Sequence, residues 1–295
     1  MDTIEALVHG VQDLIPLPKS YLRVQELVND PESSIDDITK VIVNDTALTS
    51  RILRIANSGY LGLISKVDTI GRAVQVLGLN QVHDLALADA AVGSLTKISS
   101  TVLDVNDFWR RSVYCAVVSR LVSKQQGIGA HERLFVSGLL HDTGHLLLAY
   151  RIPEQFEAMR RKAVESATPM FAIEREDLGF DYADLGAALL ANWKLPEAIV
   201  KPVSLHTRDL ANIDSDLRRE TSVLHIGATI CRAAMWRSEL DEPVPDFDPL
   251  ALQINNIDSH STESLMNEAD EAVIEAMTLL LPKSAQLGAK RKTAA

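Results

Sequence analysis

The phrase Gly138-Leu139-Leu140-His141-Asp142-Thr143-Gly144-His145 places two imidazoles and a carboxylate within five residues. On one continuous helix, residues four apart share a face, so His141 and His145 would project together with Asp142 beside them and could converge on one cation. Such a cation lowers the pKa of bound water and polarises a phosphoryl oxygen, which supplies a hydrolytic nucleophile at neutral pH. The same residues also suit a structural role, with histidine packed between helices and aspartate capping or pairing. An HD dipeptide alone does not choose between them.

The other reactive side chains form no motif. Cys115 and Cys231 stand far apart with no CxxC spacing, as expected in a reducing intracellular compartment. His83, His131 and His225 each sit singly on expected helices and read first as packing residues, with His225 the best placed for more. Asn57-Ser58-Gly59 lacks the strand-turn-helix setting of a nucleophile elbow and reads as a helix stop, with Gly59 as a left-handed cap. Gly127 and Gly129 are too sparse for a phosphate loop, and the absence of GxxxxGK[ST] and GxGxxG argues against the usual nucleotide chemistry. Trp109, Trp193 and Trp236 are expected between helices, and Arg51, Arg54 and Arg72 on a solvated helix face.

The elements that must position these residues are helices. Apolar residues recur at three- and four-residue spacing almost throughout and alternating strands are scarce, so the expectation is an all-α, multi-helix protein. Short helices fill the first part of the chain, including one opened by Ser34 and Asp37 with Ile35, Ile38, Val41 and Ile42 as its buried stripe. Longer helices follow a polar Ser/Thr-rich junction over 94–107, among them one expected to run unbroken from Glu132 to Ala149 and another over Met170 to Leu178. The expected division is an N-terminal helical subdomain over 1–95, a second over 96–240, and a linker, C-terminal helix and basic tail over 241–295.

Composition narrows the functional classes. The chain has 295 residues, 46% hydrophobic and 23% charged, enough to bury a core without disulfides. Forty acidic against 29 basic residues give a net charge of −11, which repels a phosphate backbone and disfavours nucleic acid as a partner. The acidic start MDTIEALVHG and the lack of a long apolar run argue against a signal peptide or membrane span, so the expected location is cytoplasmic.

Several phrases in order carry a family resemblance: IPLPK, NDTALTSRILRIANSGYL, VDTIGRAVQVLGLNQVHDLAL, FWRRSVYCA, LFVSGLLHDTGHLLL, DLGFDYADLGAALLANWKLPEAIVKPVSLHT and VLHIGATICRA. From Leu14 to about Trp236 the chain resembles the HDOD domain, the HD-related output domain of bacterial signalling proteins, within the HD phosphohydrolase superfamily. The resemblance implies an N-terminal bundle of short helices packed on an HD-like helical subdomain. It also implies that His141, Asp142 and His206 would be the metal ligands, with His145, where relatives carry Lys, as an additional ligand or general acid.

The match departs from active HD enzymes at both ends of the ligand set. Arg111 stands where they take a first histidine, and a guanidinium cannot ligate metal. Ala228 stands near the closing aspartate; Tyr182 replaces a frequent histidine, and His206-Thr207 a His-His pair. Arg111 could instead bind an anion or pair with Asp142. The resemblance therefore implies a non-catalytic signalling output or adaptor acting through protein partners, reached through the N-terminal helices or the helix over Thr262 to Leu281. The alternative is a metal-dependent phosphohydrolase acting on a nucleotide or cyclic dinucleotide. One divalent ion, Zn, Fe or Mn, or no metal at all, fits what remains, and a phosphorylated small molecule or second messenger stays open as a ligand.

Overall fold

A computed structural model describes residues 3–58, 66–236 and 243–281. Thr3 opens the first helix, α1 (Ile4–Gln12), by accepting the Ala6 N–H on its hydroxyl. Pro16 and Pro18 then interrupt, since neither can donate a helical hydrogen bond. A run of short helices follows: α2 (Lys19–Val28), α3 (Ile35–Asn44), α4 (Thr46–Ala56), α5 (Ile70–Leu77) and α6 (Leu79–Leu95). No strand occurs among the described residues.

Local chemistry sets these boundaries. Ser34 and Asp37 form the expected capping box, each side chain taking the other's backbone N–H. Ile38 and Ile42 are buried as expected, but Ile35 is 54% exposed because the first helical position projects beyond the face that meets the core. After α4, Asn57 grips both Leu53 O and Val67 O through its amide nitrogen and takes Val67 N–H on its oxygen, while Ser58 donates to Ile55 O. The expected Gly59 cap lies outside the described residues. Between α5 and α6, Gly78 adopts φ +91°, a conformation that a side chain would strain.

Longer elements follow: α7 (Val105–Gln125), α8 (His131–Leu140), α9 (Thr143–Arg151), α10 (Pro153–Ser166), α11 (Met170–Leu178), α12 (Tyr182–Asn192) and α13 (Glu197–Leu205). A 3₁₀ turn over Leu210–Asn212 leads to α14 (Ser215–Trp236), α15 (Pro249–Ile254) and α16 (Ser259–Leu280). No helix among the described residues is long and apolar enough to cross a membrane.

The chain divides into two compact units. One comprises Met1–Leu14 and Ile98–Val273; the other comprises Ile15–Lys97 and Ile274–Ala295. In the second unit α6 is buried along most of its length, from Val82 to Leu95, and α2, α4 and α5 pack around it. His83 belongs to this core, its Nε2 3.3 Å from the Tyr21 hydroxyl. In the first unit, α7 is the central element: from Phe108 to Ser123 almost every residue is buried, with α8 and α14 against it. Each fully buried leucine or valine there contributes about 1.5–3 kcal/mol relative to exposure.

Of the C-terminal helix, Leu265 and Ala269 are buried in the first unit and Ala276, Met277, Leu280 and Leu281 in the second, while Ile274 is 72% exposed. In the first unit the Tyr114 hydroxyl reaches Asp270 Oδ1 at 2.9 Å.

Candidate functional site

The HD dipeptide sits at a break between helices. The expected single helix over Glu132 to Ala149 divides at His141 and Asp142, which end α8 and begin α9. Side chains complete the end of α8: His141 Nδ1 lies 2.7 Å from Gly138 O, and the Thr143 hydroxyl donates to Leu140 O. Beyond the break, α9 presses against α12 so closely that a Cβ on Gly144 would lie 1.9 Å from Tyr182 O. The rings of His141 and His145 meet different partners, His206 for the first and Tyr182 for the second.

His145 is held between two carboxylates. Its Nδ1 is 2.5 Å from Asp142 Oδ1, and its Nε2 is 2.9 Å from Glu174 Oε1 on α11, an ion pair whose alignment falls short of a hydrogen bond. Its ring stacks on Tyr182 with centroids 3.9 Å apart. Burial alone would lower the His145 pKa, but Glu174 and then Asp142 outweigh it and push it up to about 9. Burial raises Glu174, and the His145 cation opposes that rise. His145 is therefore an imidazolium near neutral pH, with Nδ1 hydrogen-bonded to Asp142 and Nε2 ion-paired with Glu174.

Asp142 is fully buried and also faces Arg111, whose Nε lies 3.0 Å from Oδ2. Arg232 approaches the other oxygen at 3.8 Å. Burial would raise this carboxyl, yet Arg111 and then His145 outweigh it and hold it well below the usual range. Arg111 also lines a cavity of about 530 Å³ with Asp104, Asp107 and Arg160, so the group expected at an anion site has its Nε on the HD carboxylate.

His206 ends α13. A carbonyl can only accept, so the 2.7 Å contact to Val203 O puts the hydrogen on Nδ1, and Nε2 accepts from the Tyr182 hydroxyl at 2.9 Å. Burial, then the nearby His141, lowers its pKa to about 3, keeping it neutral. His141 and His206 meet edge to face with ring centroids 5.7 Å apart. Ala228, Tyr182, His206, His225 and Arg232 line a small pocket of about 50 Å³.

These contacts bring the expected residues into one region without making one cluster of donor atoms. Among the described residues, the set of three or more His, Cys, Asp or Glu donors that all lie within 4.8 Å is Cys115, His141 and Cys231. His141, Asp142 and His206 do not form such a set. Sequence reading missed Glu174, although Met170, Ile173 and Glu174 occupy one buried helical stripe, so an acidic residue at a core position was the available signal. It also missed the meeting of the two cysteines, which sequence spacing does not reveal.

Other candidates resolve into structure. His225 donates from Nδ1 to His206 O and accepts Asp248 N–H on Nε2, so it ties α14 to the segment before α15. His131 is 3.0 Å from Ser123 Oγ. Trp109 is completely buried beside Phe108 and Trp193 nearly so; the Trp236 side chain lies outside the described residues. Arg51 pairs with Asp89, and Arg72 reaches Gln75.

The helical architecture and the HD pair at a helix junction define the HD-like class of fold. Residues 14–208 match the HDOD domain family, and the chain belongs to it. It is similar to a candidate phosphohydrolase from Shewanella amazonensis SB2B, 26% identical with a TM-score of 0.67, covering 93% of this chain and 97% of that one. A Geobacter sulfurreducens HDOD domain protein of unknown function has a TM-score of 0.69 at 20% identity, over 93% and 96% of the two chains. An uncharacterized protein of Treponema pallidum (strain Nichols) is 26% identical over 204 residues, 68% of this chain. That match spans only 39% of the Treponema protein's length.

Proposed function

We propose that this HDOD protein is a bacterial signal-transduction output or adaptor module, working in the cytoplasm through protein partners rather than by turnover. The observation that carries this reading is the commitment of Asp142. Both its oxygens face cations of the protein itself, Arg111 and His145, where a catalytic carboxylate would face a metal ion. Arg111 and Ala228 stand where the resemblance to HD enzymes implies the first and last metal ligands, so on that reading the set is incomplete at both ends. What remains is a buried ion-pair network that fixes the geometry of α7, α9 and α11.

The alternative, a metal-dependent phosphohydrolase, draws support from the name of the Shewanella relative at 26% identity. The two readings part in a turnover assay. The purified chain is supplied with Mn²⁺, Fe²⁺ or Zn²⁺ and offered an aryl phosphodiester, a nucleoside monophosphate and a cyclic dinucleotide. The adaptor reading expects release no faster than the metal blank. Turnover that disappears in Asp142→Asn would overturn it.

A further inference from the structure

We propose that Cys115, His141 and Cys231 form a zinc-binding site, distinct from the HD-type set because it replaces the carboxylate with two thiolates. Their ligand atoms lie within 4.8 Å of one another, and all three residues are buried. The inference does not depend on whether the domain acts as an adaptor or a hydrolase.

Two close helix contacts assemble the donors. A Cβ on Gly138 would lie 2.6 Å from Ala116 Cα and 2.8 Å from Cys115 O, so the glycine lets α8 approach α7 one turn before His141. A Cβ on Gly227 would lie 2.4 Å from Ser119 Oγ and 3.2 Å from Cys115 Sγ, so a second glycine lets α14 approach α7 one turn before Cys231. The Gly138 carbonyl accepts the Nδ1 hydrogen of His141, which leaves Nε2 with its lone pair for a metal. A backbone carbonyl behind the imidazole is the usual outer support of a metal-bound histidine. Cys115 follows Arg111 by four residues on α7, and Cys231 follows Ala228 by three on α14. Each thiol therefore stands one turn beyond a position where the HD-type set has lost its ligand.

Donor chemistry selects the ion. Two sulfurs and one imidazole favour thiophilic cations over Mg²⁺, Ca²⁺ or Mn²⁺. Burial favours a neutral complex, and two thiolates balance the charge of Zn²⁺ but would leave Cu⁺ with a net negative charge. Binding releases two thiol protons to solvent and changes no oxidation state. With three protein donors, the fourth tetrahedral position falls to a solvent molecule or an added ligand. In the protonated form Cys231 S–H donates to Ala228 O at 3.1 Å.

The test uses the full chain, purified under reductant and dialysed against metal-free buffer. Elemental analysis is expected to find about one zinc per chain, as a single three-donor site requires. After stripping, Co²⁺ should give tetrahedral visible bands and a thiolate-to-cobalt charge-transfer band. Cys115→Ser and Cys231→Ser should each weaken Zn²⁺ binding, read by competition with a chromophoric chelator, by more than about 100-fold, beyond what outer-sphere changes cause. His206→Gln should keep the metal. A wild-type Co²⁺ complex without the charge-transfer band, zinc retained by both serine variants, or selective uptake of Cu⁺ would each overturn the assignment. The wild-type spectrum decides even if the variants fail to fold.

Discussion

Arg111 Nε meets Asp142 Oδ2 at 3.0 Å in a site where the carboxylate is wholly buried and the guanidinium nearly so. A permanent cation thus occupies one side of the HD carboxylate, and the protonated His145 holds the other oxygen. The pair acts as a structural clasp between α7 and the α8–α9 junction. Its value is conditional: losing one partner strands a buried charge, whereas losing both removes the demand for compensation.

Arg111→Met should therefore destabilise the protein by about 3–5 kcal/mol. The double variant Arg111→Met/Asp142→Asn should recover part of that loss. Urea denaturation of the two single variants and the double variant measures the coupling. Additive effects would show that the two side chains do not depend on each other.

His145 predicts an alkaline limit to stability. Its folded pKa of about 9 exceeds the ordinary value of 6.5, so the folded state binds its proton more tightly than the unfolded chain. The contribution is complete below pH 6.5 and is lost as pH rises through about 9, on the order of 3 kcal/mol over the full span. Denaturation midpoints across this range should fall as pH rises. In a parallel NMR titration, a His145 ring that deprotonates near its ordinary pKa would refute the clasp.

The two glycines most unlike in surroundings give opposite substitutions. Gly144 lies against the Tyr182 main chain, where a Cβ would come within 1.9 Å of the carbonyl oxygen, and backbone on a packed helix cannot yield cheaply. Gly144→Ala should cost at least about 3 kcal/mol or abolish soluble expression. Gly93, on α6, has open space where a methyl would stand, with nothing within 4 Å, and alanine there should stabilise by about 1 kcal/mol through its helix propensity. Thermal unfolding of the two variants checks both signs.

The helices were legible because their signals are local. Ser34 with Asp37, and the stripe of α11, follow from caps and apolar spacing within a few residues. The break at His141-Asp142 was not legible, because apolar residues continue on both sides of it. The same limit hid the site's wiring. The phrase around His141 was readable as a place where chemistry could occur, but the partners of its imidazoles lie on other helices, His206 for His141 and Glu174 and Tyr182 for His145. The approach of Cys115 to Cys231 depends on Gly227 and Gly138, whose role is visible only when helices meet.

Asp181 joins a helix cap to the segment that carries His206. Its side chain accepts the Asp184 N–H at the start of α12, the Thr207 hydroxyl at 2.8 Å and the Arg175 guanidinium at 2.5 Å. Arg175 in turn donates to Thr207 O, so α11, α12 and the end of α13 close on one buried carboxylate. Loss of an N-cap alone costs about 1 kcal/mol, and each charge-assisted bond adds roughly 1.5–3 kcal/mol. Asp181→Ala should therefore destabilise by at least about 4 kcal/mol, and Asp181→Asn by less because the amide oxygen still caps. The same loss should loosen the Tyr182–His206 hydrogen bond, since both residues sit next to groups that Asp181 ties together. Near-ultraviolet circular dichroism, read beside urea midpoints, tests this coupling: an unchanged aromatic signal in a destabilised Asp181→Ala would separate the cap from the site.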